Sequence, residues 1–198
     1  RGDHLELLDQ RRLPEEVSFL KLRQWRDVAG AIATMAVRGA PAIGVAAAWG
    51  VVLAAQAGED LDVAVSVLKS SRPTAVNLAW ALERMRRSPA AQNPVDPQAL
   101  AGVAAALQAD DRARTQTLVD HGVGLLAAGS RVLHHCHTGA IATAGVGPAL
   151  GVIASGYARG VVHHAWLDET RPRLQGAALS AWELGCLGVP CTVIVDGA

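Results

Sequence analysis

At 198 residues, 51% of them hydrophobic but with a single Phe and a single Tyr, the chain has material for a sizeable core built from small side chains. That suits helices packed closely on a sheet better than a β-sandwich. Eighteen Lys and Arg balance eighteen Asp and Glu, so the basic field that nucleic acid or an anionic membrane surface demands is missing. The alanine-rich run 43–57 falls short of the roughly 20 residues of a membrane-spanning helix, and no secretory signal is visible. Three cysteines without a CxxC pair read as reduced thiols, which places the chain in the cytoplasm.

Arg1-Gly2-Asp3 has the form of an adhesion tripeptide, but without a secretory context it reads as coincidence or an expression remnant. The missing initiator Met puts the native start elsewhere. Apolar patches at 6–8 and 16–22 around an Arg11-Arg12-Leu13-Pro14 turn predict a small antiparallel pair. Asp27 is placed as the cap of an amphipathic helix running to about Ala36. A second helix follows Pro41. A third covers 61–70 and stops near Ser71, because Pro73 pushes the residues before it out of α geometry. A fourth, 74–87, sets Leu78, Leu82 and Met85 on one face at spacings of four and three. Three prolines within 88–97 mark a linker. Asp96-Pro97 then opens a long helix toward Leu126, with a kink or pause expected at Asp110-Asp111.

From Arg131 the pattern changes. β-type runs at 131–135, 161–167 and 191–195 are separated by helical stretches at about 148–158 and 174–185, the βαβαβ order of a parallel, Rossmann-like sheet. A proline inside a helix costs about 3 kcal/mol and at its first turn almost nothing. Pro148 therefore opens its helix, and 136–147 is a glycine-rich crossover loop with at most an isolated turn. Gly145-Val146-Gly147-Pro148 has the wrong spacing for a dinucleotide fingerprint. Ligands of open parallel sheets sit beyond the carboxyl ends of the strands. That rule singles out the loops Cys136-His137-Thr138-Gly139, Asp168-Glu169-Thr170-Arg171-Pro172 and Asp196-Gly197-Ala198.

In Val37-Arg38-Gly39-Ala40-Pro41-Ala42-Ile43-Gly44 an arginine, a helix-breaking glycine and a first-turn proline meet. The order sets a guanidinium beside the orphan N–H groups of a helix start, a site for phosphate; the alternative is a loop with a solvated arginine. His134, His135, Cys136, His137, His163 and His164 invite a zinc reading, but strand alternation would put His135 and His137 on one face and His134 and Cys136 on the other. No metal is expected. Cys136 by itself reads more often as an inert buried thiol than as a reactive one. Cys186 and Cys191 read as core residues. Asp168 and Glu169 are adjacent, so at most one points inward, as an acid–base group or a loop cap. The five tryptophans, spread over different elements, suit core packing, with Trp49 or Trp80 as candidates to line a ligand pocket.

Four segments, VRGAPAIGVAAAWG (37–50), SRPTAVNLAWAL (71–82), HCHTGAIATAG (135–145) and DETRPRLQGAALSAWEL (168–184), closely resemble those of the methylthioribose-1-phosphate isomerase family, in the same order. The superfamily also holds ribose-1,5-bisphosphate isomerases and regulatory subunits of a translation-initiation exchange factor. The resemblance implies an α/β protein: a small, mostly helical N-terminal domain (1–128) and the first half of a Rossmann-like parallel-sheet domain (129–198), truncated after that half.

It implies aldose–ketose isomerisation of 5-methylthioribose 1-phosphate in methionine salvage, without metal or organic cofactor. Carried over by position, Arg38, Gly39, Ala40, Arg72 and Gln175 would bind the sugar phosphate, and Cys136 would be the catalytic thiol. The partner is a small sugar phosphate, with no nucleic acid and no membrane; a homodimer is a further expectation.

Two departures stand out. His137 replaces the family's usual Asn. The family's catalytic aspartate and an Asn-Lys substrate pair lie beyond Ala198, and Asp196 is in the wrong context to be that aspartate. The chain is thus expected to be part of a longer protein and inactive alone. Two other readings stay open: an isomerase of another pentose 1-phosphate, such as 5-deoxyribose 1-phosphate or ribose 1,5-bisphosphate, or a non-catalytic regulatory subunit.

Overall fold

A computed structural model describes residues 3–198; Arg1 and Gly2, and with them the adhesion-like tripeptide, lie outside the described residues. The chain forms two compact units, residues 3–11 with 17–110 and residues 12–16 with 111–198. The dividing line falls at Asp110-Asp111, whereas the sequence placed it after residue 128.

The first unit opens with β1 (Leu5–Leu8) paired antiparallel to β2 (Phe19–Leu22), Leu5 opposite Leu22 and Leu8 opposite Phe19, as the apolar patches predict. Helices α1 (Trp25–Ala33), α2 (Ala40–Gln56), α3 (Leu61–Ser70) and α4 (Val76–Arg86) follow. Helix α1 starts two residues before Asp27, which lies in its first turn instead of capping it. The indole of Trp25 is buried and donates to Glu59 at 2.8 Å, and burying it fixes the helix start. The helix ends at Ala33, short of Ala36: the Thr34 hydroxyl donates to the Gly30 carbonyl and Met35 adopts φ +60°.

Helix α2 is the hub. It is apolar around its whole circumference, and Ile43, Ala46, Ala47, Val51, Val52 and Ala54 are all shut from solvent. A helix of that kind is stable only when neighbours surround it. Trp25, Val28, Ile32, Leu68, Leu78, Leu82, Met85 and Leu100 complete its core. Asp60 caps α3, accepting from the N–H groups of Asp62 (2.8 Å) and Val63 (3.2 Å). Residues 88–96 hold one 3₁₀ turn, Pro89–Ala91. Asp96 accepts from Gln98 and Ala99 at 3.0 Å each and so starts α5 (Pro97–Gly124), which runs through Asp110-Asp111 without the expected pause.

The second unit contains the predicted parallel sheet, β3 (Ser130–His134), β4 (Val162–Asp168) and β5 (Cys191–Ile194), in that order across the sheet. Val132 lies opposite Ala165, and Ala165 opposite Cys191. Helix α6 (Ala149–Ala158) joins β3 to β4; α7 (Ala181–Cys186) precedes β5. Leu150, Ile153, Val162, Ala165, Leu167, Leu184 and Val189 form the core between helices and sheet. The predicted helix 174–185 is less regular than expected: Leu174 has φ +56°, and Gly176–Ser180 form a π-helical turn before α7.

Two packing expectations are corrected. Cys186 is exposed, because α7 ends there and turns its last residue outward, while Cys191 packs against the core as predicted. Of the tryptophans only Trp25 is fully buried; Trp80 is half exposed on a surface groove with Arg84, Arg87 and Val103. Among the described residues no helix is long and apolar enough to cross a membrane.

Candidate functional site

In the first unit Arg38, Gly39 and Ala40 occupy the start of α2, and Arg72 follows directly on the C-cap of α3. Gly39 takes φ +96°, and the first helical hydrogen bond of α2 runs from the Ile43 N–H to the Gly39 carbonyl at 3.0 Å. The N–H groups of Ala40 and Ala42 therefore precede the helical ladder, and Pro41 has none to satisfy. Arg38 immediately precedes this positive helix end, its carbonyl accepting from the Gln10 side chain at 3.4 Å. Arg72 lies in the turn between α3 and α4, where its carbonyl accepts from Ala75 at 3.0 Å.

The two segments share a region because α2 and α4 cross at Gly44. A Cβ there would stand 3.0 Å from the Asn77 carbonyl oxygen, so only glycine permits this approach without a shift. Gly44 comes five residues after Gly39, and Asn77 five after Arg72. Each arginine-bearing loop thus enters its helix within about one and a half turns of the crossing. Trp49, a candidate pocket wall, donates from its indole to Gln108 at 3.2 Å.

In the second unit the loops at the carboxyl ends of the three strands meet around Cys136. Strand β3 stops at His134, and Cys136 turns the backbone into the left-handed region, φ +66°, which a non-glycine residue adopts only when its surroundings hold it there. Two side chains do so. The Cys136 N–H donates to the Thr170 hydroxyl at 2.9 Å, and its carbonyl accepts from the Ser180 hydroxyl at 2.8 Å. Thr170 is buried, itself has φ +61°, and is fixed in turn by Asp196, which accepts from the N–H groups of Thr170 (2.8 Å) and Arg171 (2.7 Å). Those two N–H bonds hold the Asp196 carboxyl below its usual range. Gln175 leads directly into the π-helical turn whose last residue is Ser180.

The expected alternation of His134 to His137 fails beyond His134, because the strand has ended. Each ring has a separate partner. His134 sits 3.0 Å from the Thr138 hydroxyl, which also accepts from the Leu150 N–H at the start of α6. Burial, with the nearby His137 and His135 rings adding to it, pushes His134 down from 6.5 to about 4, so this ring is neutral at pH 7.

His135 is exposed, 2.9 Å from Asp168, and His137 is buried against Glu183 at 2.6 Å. Of the adjacent acids, then, it is Asp168 that has a side-chain partner at the strand end. Among the described residues, the atoms grouped closely enough to hold a cation are those of His135, Asp168 and Asp196, within 4.8 Å of one another. Thr170 and Asp196 lie in loops that the strand-end rule singles out, but their bracing of Cys136 was not foreseen, and Ser180 and Glu183 were missed. Their partners are remote in sequence, although polar Ser180 and Glu183 at helical spacing in an apolar stretch are a signal that could have found two of them.

These features define a two-part α/β protein: a helical unit with one arginine at the start of α2 and another in the α3–α4 turn, and a three-stranded parallel sheet with a strained, braced cysteine beyond the carboxyl end of β3. The chain belongs to the initiation factor 2 subunit family, whose model matches residues 36–198. It is 91% identical to the methylthioribose-1-phosphate isomerase of Parasynechococcus marenigrum over 197 residues, all of this chain and 58% of that protein. The crystal structure of 5-methylthioribose 1-phosphate isomerase from Pyrococcus horikoshii superposes with a TM-score of 0.90 at 34% identity, covering 100% of this chain and 59% of that one. The translation initiation factor eIF-2B subunit delta from A. fulgidus gives 0.86 at 36% identity, covering 98% and 61%. The chain thus spans somewhat under two thirds of the length of the relatives it matches.

Proposed function

We propose that the whole protein of which this chain is part is an aldose–ketose isomerase that converts 5-methylthioribose 1-phosphate to the ribulose 1-phosphate. Cys136 carries the proposal: a thiol placed where parallel sheets bind ligands, in a backbone conformation that costs energy and is braced from both sides. The 91% identity to a protein of that name supports the substrate.

The chemistry explains the residue types. A sugar phosphorylated on its anomeric oxygen cannot open its ring unaided. An acid must assist opening, a base must then move hydrogen from C2 to C1, and the phosphate must be held throughout. We assign the phosphate to Arg38 and Arg72 with the N–H groups around Gly39 and Ala40, because guanidiniums and helix-start amides bind phosphate oxygens through charge-assisted bonds. Gln175 is assigned to complete that grip. Cys136 is assigned the role of proton carrier, since a thiol and its thiolate can give and take a proton.

The three cysteines are free thiols, which fits a protein of the cytoplasm. The likeness to the A. fulgidus chain supports a second reading, a regulatory subunit without catalysis. The test is to incubate the full-length protein with methylthioribose 1-phosphate, ribose 1,5-bisphosphate and 5-deoxyribose 1-phosphate and follow ketose formation. Turnover of the first in preference to the others is expected. No turnover of any would favour the regulatory reading.

A further inference from the structure

The side chains that brace the loop after Cys136 come from one helix face. Ser180, the last residue of the π-helical turn, and Glu183, one turn later in α7, point at that loop together. The Ser180 hydroxyl donates to the Cys136 carbonyl. Both carboxylate oxygens of Glu183 are engaged: one accepts from the Ala140 N–H at 2.7 Å, the other from the Ile141 N–H at 3.2 Å and from His137 Nε2 at 2.6 Å.

The side chains of His137 and Glu183 are 3% and 8% exposed, so the pair is sealed from water. The seat is tight enough that a Cβ on Gly139 would collide with the Glu183 carboxylate. Two backbone N–H donors and the His137 ring nitrogen thus converge on the two carboxylate oxygens. A buried carboxylate with a full set of donors is costly to disturb, since each donor stripped of its partner keeps its desolvation penalty.

We propose that Glu183 is the positioning residue for Cys136, holding residues 137–141 through their backbone amides and the His137 ring so that the thiol is presented in one orientation. His137 joins the clamp through its ring, 2.6 Å from the Glu183 carboxylate. The proposal rests on Cys136 being the reactive thiol of the isomerase reading, but it can be measured without that reaction.

The experiment uses the full-length protein and the variants Glu183→Gln, His137→Gln and Ser180→Ala. Three readouts are taken: the rate of Cys136 alkylation by iodoacetamide between pH 6 and 9, kcat and KM on methylthioribose 1-phosphate, and the melting temperature. Glu183→Gln puts an amide N–H₂ where an N–H donor needs an acceptor and frees the loop. Alkylation of Cys136 is expected to rise about fivefold or more at pH 7, and kcat to fall about 10- to 100-fold with KM changed less than threefold. Ser180→Ala, which removes one hydroxyl, is expected to shift alkylation in the same direction by about twofold to fivefold.

A clamp that only stabilises the fold would lower the melting temperature and leave alkylation and kcat of the folded variants within twofold of the parent, and that result overturns the proposal. Faster alkylation in the variants, with a parent protein that turns over no sugar phosphate, would sustain the positioning role while removing the isomerase reading.

Discussion

Replacing Thr170 with valine isolates the bracing of Cys136, because the two side chains have nearly the same shape and differ by the hydroxyl. In the parent that hydroxyl accepts from the Cys136 N–H at 2.9 Å and donates to the Asp168 carbonyl at 3.1 Å. Leaving a mostly buried N–H without a partner costs about 1–3 kcal/mol, and losing the second bond about 0.5–1.5 kcal/mol, so the substitution should cost about 2–4 kcal/mol. For a domain of this size that corresponds to a fall in Tm of about 5–15 °C. Thr170→Ser keeps both bonds and removes a β-branch from a residue at φ +61°, so it should be neutral or slightly stabilising. Thermal and urea unfolding of the three proteins, followed by circular dichroism, provide the measurement. A valine variant within about 0.5 kcal/mol of the parent, or a serine variant as damaged as the valine one, would show that the hydroxyl does not brace the loop.

Other outcomes are expected. Asp96→Ala removes both side-chain cap bonds of α5 and should cost about 1 kcal/mol in urea unfolding, whereas Asp110→Ala should change helix content little. His134 takes up a proton at about 4 when folded against 6.5 in the unfolded chain. The unfolded state therefore binds the proton first as pH falls, and stability drops between about pH 6.5 and 4 and levels off below. The full shift is worth about 3 kcal/mol, or about 2 after allowing for solvent screening. Urea unfolding at pH 7 and pH 4.5 should show this loss in the parent and a smaller one in His134→Gln; equal losses would contradict it. Arg38→Ala and Arg72→Ala in the full-length protein should each lower kcat/KM on a sugar 1-phosphate about 10- to 100-fold, a charge-assisted bond apiece. Added inorganic phosphate should inhibit the parent more than either variant.

Much of the architecture was legible because local signals agreed with it. Helix α3 runs over 61–70 as predicted, since Asp60 caps it and Pro73 forbids its extension. Asp96 and Pro97 start α5 for the same kind of reason, and apolar runs of four to seven residues separated by helices could only be a parallel sheet. Asp27 misled because the burial of Trp25 decides where α1 begins. The π-helical turn at Gly176–Ser180 has no sequence signature of its own; it follows from the left-handed Leu174 and from the partners the helix has to meet.

The site divides the same way. Cys136 and Arg72 were named through the segments that resemble the isomerase family, and Arg38 also through its place before Gly39 and Pro41. The atoms that hold Cys136 come from Thr170 and Ser180, 34 and 44 residues away, and no local pattern connects them. The histidine run misled for a related reason: alternation holds only while the strand lasts, and β3 ends before Cys136.

The central claim is that Cys136 does chemistry. Full-length parent and Cys136→Ser protein, both shown to be folded, should be compared for the rate of ketose formation from methylthioribose 1-phosphate. A loss of about a thousandfold in kcat with substrate affinity retained is the expected result. Turnover by the serine variant within a few-fold of the parent would contradict it.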